Sequence, residues 1–308
     1  MHKYILKRIL MMIPVLIGVV FIMFFISSLT PGDPAQIILG EGATEAAIAQ
    51  VREEFGLDDP FLMQFGRYLL GIAQGDFGVS WDTQRPVQEE IFARFPNTMQ
   101  LAGMGIVLAL MLGIPLGILS AVKQYSAWDF GATFIGLIGV SMPNFWLGML
   151  LIMLFTVNLG WLPATGFSEP LMWILPTFAI GTGSASIIMR MTRSSMLECI
   201  RQDYIRTARA KGQIERKVIF RHALKNALIP VTTTAGLSFG FLLGGAVLTE
   251  TIFAIPGLGS FMVQSLQRRD WPTAIGGALL IAISFSIVNL LVDILYAILD
   301  PRIRSQYR

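Results

Sequence analysis

Lys217, Arg221 and Lys225 recur every four residues, one helical turn apart, so on a helix they form a single basic stripe. Ile219, Phe220, Ala223 and Ala227 fall on the opposite side. A short helix with one charged and one apolar face can dock a partner protein, or lie against anionic lipid head groups. Residues suited to covalent or metal chemistry are scarce. Cys199 is the only cysteine, and His2 and His222 are the only histidines. That excludes an internal disulfide and leaves too few ligands for a zinc centre, so Cys199 reads as a reduced thiol. No Gly-x-x-x-x-Gly-Lys-[Ser/Thr] loop is present to cradle a nucleotide phosphate. His-Glu-x-x-His is absent too, and no motif supports the nucleophile, base or metal ligands of an intramembrane enzyme. Asp76-Phe77-Gly78 copies a kinase tripeptide without the accompanying His-Arg-Asp. The basic stretch carries no nucleic-acid module, and nucleic acid is not expected as a partner.

The elements that must position these residues are apolar and long. Hydrophobic residues make up 54% of the 308-residue chain and charged residues 14%, against about a quarter charged in soluble domains. Mean hydropathy is +0.64. Windows of 20 or more residues contain no Asp, Glu, Lys or Arg, the mark of bilayer-spanning helices. The pattern predicts an all-α, polytopic membrane protein with about six transmembrane helices. They are expected at Ile9–Leu29, Thr98–Val122, Phe130–Val157, Leu171–Met191, Ala227–Leu248 and Pro272–Leu299. The first is too long for a signal-peptide core and no cleavage site follows it, so it reads as retained. Pro143 is expected to break the third, and Gly236, Gly240, Gly244 and Gly245 to let the fifth approach a neighbour closely. Ionisable or polar groups at membrane depth are functional candidates. Asp293, Glu250 and Asn144 are therefore read as translocation-path candidates. Asp293 can equally pair near the inner end of its helix, and Glu250 can equally cap a local helix start.

Basic residues set the orientation. With the N-terminus inside, inside segments hold 17 of the 23 Lys and Arg. Both termini are then cytoplasmic and Pro31 to Asn97 is external, with eleven acidic residues against four arginines. The predicted organisation is 1–30 for the N-terminus and first helix and 31–97 for a small external helical cap. A five-helix core follows over 98–299, including a cytoplasmic loop at 193–226, with a tail at 300–308. In the cap, Thr44 can N-cap a helix bearing Ile48, Val51 and Phe55 and closed by Gly56. Asp59-Pro60 can start a second, with Leu62, Phe65 and Leu69 inward, and Pro86 a third, with Val87, Ile91 and Phe95 on one face. In the 193–226 loop, Met196, Ile200, Tyr204 and Ala208 form one helical row, and Gly212 can break the helix.

The run Asp203-Tyr204-Ile205-Arg206-Thr207-Ala208-Arg209-Ala210-Lys211-Gly212, with Phe220-Arg221-His222-Ala223-Leu224-Lys225-Asn226-Ala227-Leu228-Ile229-Pro230 after it, resembles the EAA loop of ABC importer permeases. Specifically it resembles the B-type subunit of the peptide/nickel family, dipeptide and oligopeptide permeases included. Further marks in shared order cover nearly the whole chain: Leu29-Thr30-Pro31-Gly32-Asp33-Pro34, Gly75-Asp76-Phe77-Gly78 with Arg85-Pro86-Val87, and Arg94-Phe95-Pro96-Asn97-Thr98. Trp161-Leu162-Pro163-Ala164-Thr165-Gly166, Glu250-Thr251-Ile252-Phe253 leading to Pro256-Gly257-Leu258-Gly259, and Leu299-Asp300-Pro301-Arg302 complete them. Arg206-Thr207-Ala208 stands where the broad family has Glu-Ala-Ala, which narrows the subfamily.

The resemblance implies a type I ABC importer permease fold in a bacterial cytoplasmic membrane. It implies as partners a second homologous permease, two ATP-binding cassette ATPases that hold the ATP and magnesium, and an external substrate-binding protein. This chain would then be a transport subunit without a cofactor of its own. The implied coupling residues are Arg206, Thr207, Ala208, Gly212, Ile214, Arg216, Lys217 and His222. Small peptides are the implied cargo; nickel complexes, glutathione and oligosaccharides belong to the same wider family. An ion-coupled secondary transporter is the reading from another class. It calls for inverted repeats and intramembrane carboxylates, of which only Asp293 is evident.

Overall fold

In the computed structural model of the chain, residues 2–40 and 42–299 are described; the predicted tail at 300–308, with the Asp300-Pro301-Arg302 mark, lies outside them. Helices follow one another in the order α1 (His2–Leu29), α2 (Pro34–Leu39), α3 (Glu45–Phe55), α4 (Phe61–Ala73), α5 (Val87–Val122), α6 (Ala127–Ser141) and α7 (Asn144–Leu151). Then come α8 (Ile174–Ile200), α9 (Asp203–Ala210), the single turn α10 (Glu215–Lys217), α11 (Leu224–Ile252), α12 (Leu258–Gln267) and α13 (Trp271–Leu299). Five spans are long and apolar enough to cross a membrane, and α6 with α7 makes a sixth if the bent pair counts as one. No strand forms among the described residues; Val79 and Pro86 make one isolated antiparallel bridge.

One expected boundary moves. The helix predicted to start at Pro86 and the one predicted at Thr98–Val122 are a single 36-residue α5. At 1.5 Å per residue it is roughly 54 Å long, well beyond a hydrocarbon core of about 30 Å. Pro96 does not stop it, although an interior proline costs about 3 kcal/mol. Wholly buried Val87 and Ile91 anchor the stretch before Pro96, and the two residues after it are tied to the start of α12. Asn97 Nδ2 donates to the Pro256 carbonyl at 2.9 Å, and Thr98 Oγ1 accepts from Leu258 N at 2.8 Å. The break expected at Pro143 is present: α6 and α7 meet there at 103°, a far sharper break than a kink. Met142, the residue before the proline, is extended (φ −83°, ψ 125°), as the proline ring demands of its predecessor.

The chain divides into two compact units. One comprises Lys7–Thr98 and Pro256–Ser286. Within it the Thr44 hydroxyl accepts from Ala47 N at 3.3 Å to open α3, and Gly56 (φ 60°) closes it in the left-handed conformation, both as predicted. α4 begins one residue later than predicted, with Pro60 as its cap. Phe65 and Leu69 pack on Val20, Ile275 and Leu279, but Leu62 is exposed. Leu62 and Met63 stand in the first turn of α4, where neither is covered. Marks that are far apart in sequence meet here. The Gly78 carbonyl accepts from Val87 N at 3.0 Å, and Arg94 lies over the Phe261 ring at 3.6 Å. Buried Asp270 accepts from Ser80 Oγ at 2.6 Å and from Trp81 N at 2.9 Å, clasping the 76–86 turn to the start of α13.

The other unit is built on Met99–Ile255, with the first residues of α1 and the stretch of α13 from Ile287. Its close helix approach is made mainly by α5 and α8. A Cβ on Gly113 would lie 2.7 Å from the Ala185 carbonyl, and one on Gly117 2.6 Å from that of Met189. Of the glycines expected to serve this purpose on α11, Gly236 is pressed against Val292, whereas Gly244 and Gly245 meet nothing within 4 Å. Glycine recurrence marks where a helix has little bulk; which glycines are used depends on which neighbour arrives.

Candidate functional site

α8 does not stop near Met191 as predicted but runs to Ile200, carrying the chain into the 193–226 loop. It breaks at Arg201–Gln202, and α9 restarts at Asp203. The break interrupts the predicted Met196–Ile200–Tyr204–Ala208 row. Met196 and Ala208 are buried, but Ile205 takes the inward position and Tyr204 turns outward. With Ile118, Ala121, Val218, Ile219, Ala223 and Ala227 these residues make a continuous apolar core beneath the loop.

Gly212 ends the element after α9, at φ 72° in the left-handed region. Its N–H donates to the Arg209 carbonyl at 2.9 Å, and nothing in this chain lies within 4 Å of where a Cβ would stand. Two side-chain contacts tie the chain across the turn. Arg209 grips Glu215 through two nitrogens, at 2.6 and 3.1 Å, and this contact raises the guanidinium pKa above its ordinary value. His222 Nε2 meets Gln213 Oε1 at 2.8 Å.

Beyond the turn, the described chain makes the short α10 and then a π-helical turn over Val218–Ala223 that runs into α11. Lys217, Arg221 and Lys225 are exposed, and Ile219, Ala223 and Ala227 are buried, as the stripe predicted. Phe220 is not on the buried side; it is 55% exposed. Three residues after Lys217, it returns to the same face. Ile214, 77% exposed, joins it, and the two rim a shallow concavity with Arg216, Lys217 and Arg221. An exposed isoleucine and phenylalanine ringed by three cations form an apolar patch with a basic collar.

The residues assigned to coupling thus separate into two groups. Arg206, Thr207, Gly212, Ile214, Arg216 and Lys217 are exposed; Ala208 is buried beneath α9, and His222 is half-buried against Gln213. Of the path candidates, Asn144 opens α7 with its Oδ1 toward Gly183 of α8. Glu250 is wholly buried near the end of α11, and Asp293 is half-buried in α13. Among the described residues no three His, Cys, Asp or Glu side chains come together in a way that could hold a metal ion.

One polar cluster escaped sequence reasoning. Asp129, in the first turn of α6, is buried and accepts from both Nε and Nη2 of Arg193 on α8, each at 2.8 Å. Tyr125 N donates to the same carboxylate at 2.9 Å, and the Ser120 hydroxyl at the end of α5 also donates to it. Three helices are pinned at one carboxylate, immediately next to the loop. The signal was present: Asp129 is the only ionisable residue of α6, but the predicted helix began one residue later, at Phe130.

A helical architecture with five or six apolar spans and an exposed apolar patch on a basic loop is that of a multi-pass membrane protein. Comparison with known proteins places it more closely. Residues 113–305 match the family described as binding-protein-dependent transport system inner membrane component, and residues 1–102 match that family's N-terminal region. The dipeptide transport system permease protein DppB of Alkalihalophilus pseudofirmus is 45% identical over 332 residues, covering 99% of this chain and 100% of the relative. The oligopeptide transport system permease protein AppB of Bacillus subtilis is 44% identical, covering 98% and 99%. The glutathione transport system permease protein GsiC of Salmonella paratyphi A is also 44% identical, covering 99% of each. Among solved structures, a chain of the MetNI methionine ABC transporter in an inward-facing conformation shares the fold, with a TM-score of 0.58 at 18% identity over 69% of this chain and 97% of that one. The chain belongs to the family of binding-protein-dependent transport system inner membrane components.

Proposed function

We propose that this chain is one of two homologous permease subunits of an ATP-driven importer of small peptides in a bacterial cytoplasmic membrane. Two ATPase subunits on the inner side would supply the energy, and an external binding protein would deliver the cargo to the Pro31–Asn97 side. The observation that carries the reading is the exposed apolar patch of Ile214 and Phe220 with its basic collar, set just after the Gly212 turn. An apolar tip desolvates well in a groove, and the surrounding cations suit an acidic rim on the partner. The patch runs straight into α11 and rests on the end of α8 through a shared apolar core, so force applied to it reaches two membrane-crossing helices. The peptide cargo rests on the similarity to dipeptide and oligopeptide transport permeases. Glutathione, itself a tripeptide, falls within the same chemistry. The test is reconstitution of the chain with its candidate partners in proteoliposomes. Uptake of a labelled dipeptide should require ATP inside and the binding protein outside. Uptake by the chain alone on a proton or sodium gradient would instead support a secondary transporter and end the importer reading.

A further inference from the structure

A cavity of about 500 Å³ lies among α1, the short helices α2–α4 and the start of α13, in a size range typical of small-molecule sites (roughly 300–1,000 Å³). The coupling loop has no part in it. Its floor is apolar: Phe24 near the C-terminal end of α1, Phe61 and Tyr68 of α4, and Trp271 and Ile275 in the first turns of α13. α1 and α13 both cross the membrane, so this floor lies at the ends of two spans, where tyrosine and tryptophan gather at the bilayer interface.

The rim is charged, and its charges are not all committed. Arg67 is paired with Asp59. Arg269 also lines the cavity, yet among the described residues its guanidinium has neither an ion pair nor a hydrogen bond. It is held there at a cost, since its backbone adopts φ 60°, a left-handed conformation uncommon for arginine. Its Nη1 stands 2.7 Å from where a Cβ on Gly32 would lie, so the guanidinium occupies room that only glycine leaves. Two carboxylates also line the cavity and have no cationic partner among the described residues: Glu54, and Asp76, whose Oδ1 already accepts from Gly78 N at 2.8 Å. The Tyr68 hydroxyl is buried without a hydrogen-bond partner.

We propose that this cavity binds a zwitterionic amphiphile, and that its occupant is a phosphatidylethanolamine of the leaflet on that side. The acyl chain would cover the aromatic floor, the phosphate would meet Arg269 and the ammonium would meet Glu54. A peptide with apolar side chains carries the same pair of charges. The position decides for the lipid, because the floor is made from the ends of two membrane-crossing helices. The proposal goes beyond the transport reading and depends on no part of it.

The test uses the assembled complex, delipidated in detergent and re-supplied with phosphatidylethanolamine or phosphatidylcholine, with lipid retained on this chain read by native mass spectrometry. Arg269→Gln should weaken phosphatidylethanolamine retention about tenfold, and Arg269→Lys should restore most of it because a cation returns. Glu54→Gln should abolish the preference for phosphatidylethanolamine over phosphatidylcholine, whose quaternary ammonium has no N–H to donate. Equal retention by wild type and Arg269→Gln overturns the proposal. So does displacement of the lipid by excess leucyl-leucine, which would assign the cavity to peptide. Should Arg269→Gln fail to assemble, Glu54→Gln alone decides: an unchanged lipid preference refutes the site.

Discussion

Gly212 and Asp129 show two different ways in which a single residue matters here. At Gly212 the demand is on the backbone: a side chain in the left-handed region costs roughly 1–2 kcal/mol, and no neighbour within this chain objects. Gly212→Leu should therefore leave the melting temperature of the purified complex within a few degrees of wild type. If the turn seats in an ATPase groove, the same change should weaken ATPase association about tenfold or more, as read by co-purification. Unchanged association and transport would remove Gly212 from the coupling surface. At Asp129 the demand is electrostatic. Asp129→Asn leaves the Arg193 guanidinium half-buried without its counter-charge, a change expected to destabilise by about 3–5 kcal/mol. Adding Arg193→Met should recover most of that loss, measured as a double-mutant cycle in thermal unfolding. Gly212 was legible because it ends a helical pattern. Asp129 stood out as a lone charge, but its pairing did not, because the partner lies 64 positions away.

At the scale of elements, the apolar spans were readable and their ends were not. Hydrophobic length is a local sum, so α1, α5, α8, α11 and α13 emerge from the sequence alone. Whether a helix continues past its apolar stretch depends on what its polar end touches. α5 extends back to Val87 because Asn97 and Thr98 bond the start of α12, and α8 runs on to Ile200 over the apolar core beneath the loop. The same reasoning separates the glycines. Gly117→Leu would drive a side chain into the backbone of α8 at Met189 and should prevent stable folding, seen as loss of the monodisperse peak in size-exclusion chromatography. Gly245→Leu meets open space and should leave that peak intact. Equal behaviour of the two variants would contradict the α5–α8 packing.

For the whole molecule, the bias of lysine and arginine assigns the 193–226 loop to the inside and the α2–α4 group to the outside. In a Cys199→Ser background, Asp58→Cys should react with a membrane-impermeant maleimide in intact cells. Lys211→Cys should react only after permeabilisation. The reverse pattern would invert the topology and, with it, the side from which ATPases act. Sequence by itself determined that this is an all-helical membrane protein of about six spans, that it has no phosphate-binding loop, and that its basic loop carries a helix–glycine–helix pattern. Those properties rest on local composition, spacing and periodicity, and need no knowledge of neighbours. Only the tertiary structure decided that Phe220 joins Ile214 in an exposed apolar patch, that Asp129 and Arg193 pin three helices, and that Ser80 closes on Asp270 across 190 positions. It also decided that Arg269 faces a cavity with no carboxylate paired to it. Each of these is a meeting between distant segments, and burial and pairing are set by which surfaces arrive together.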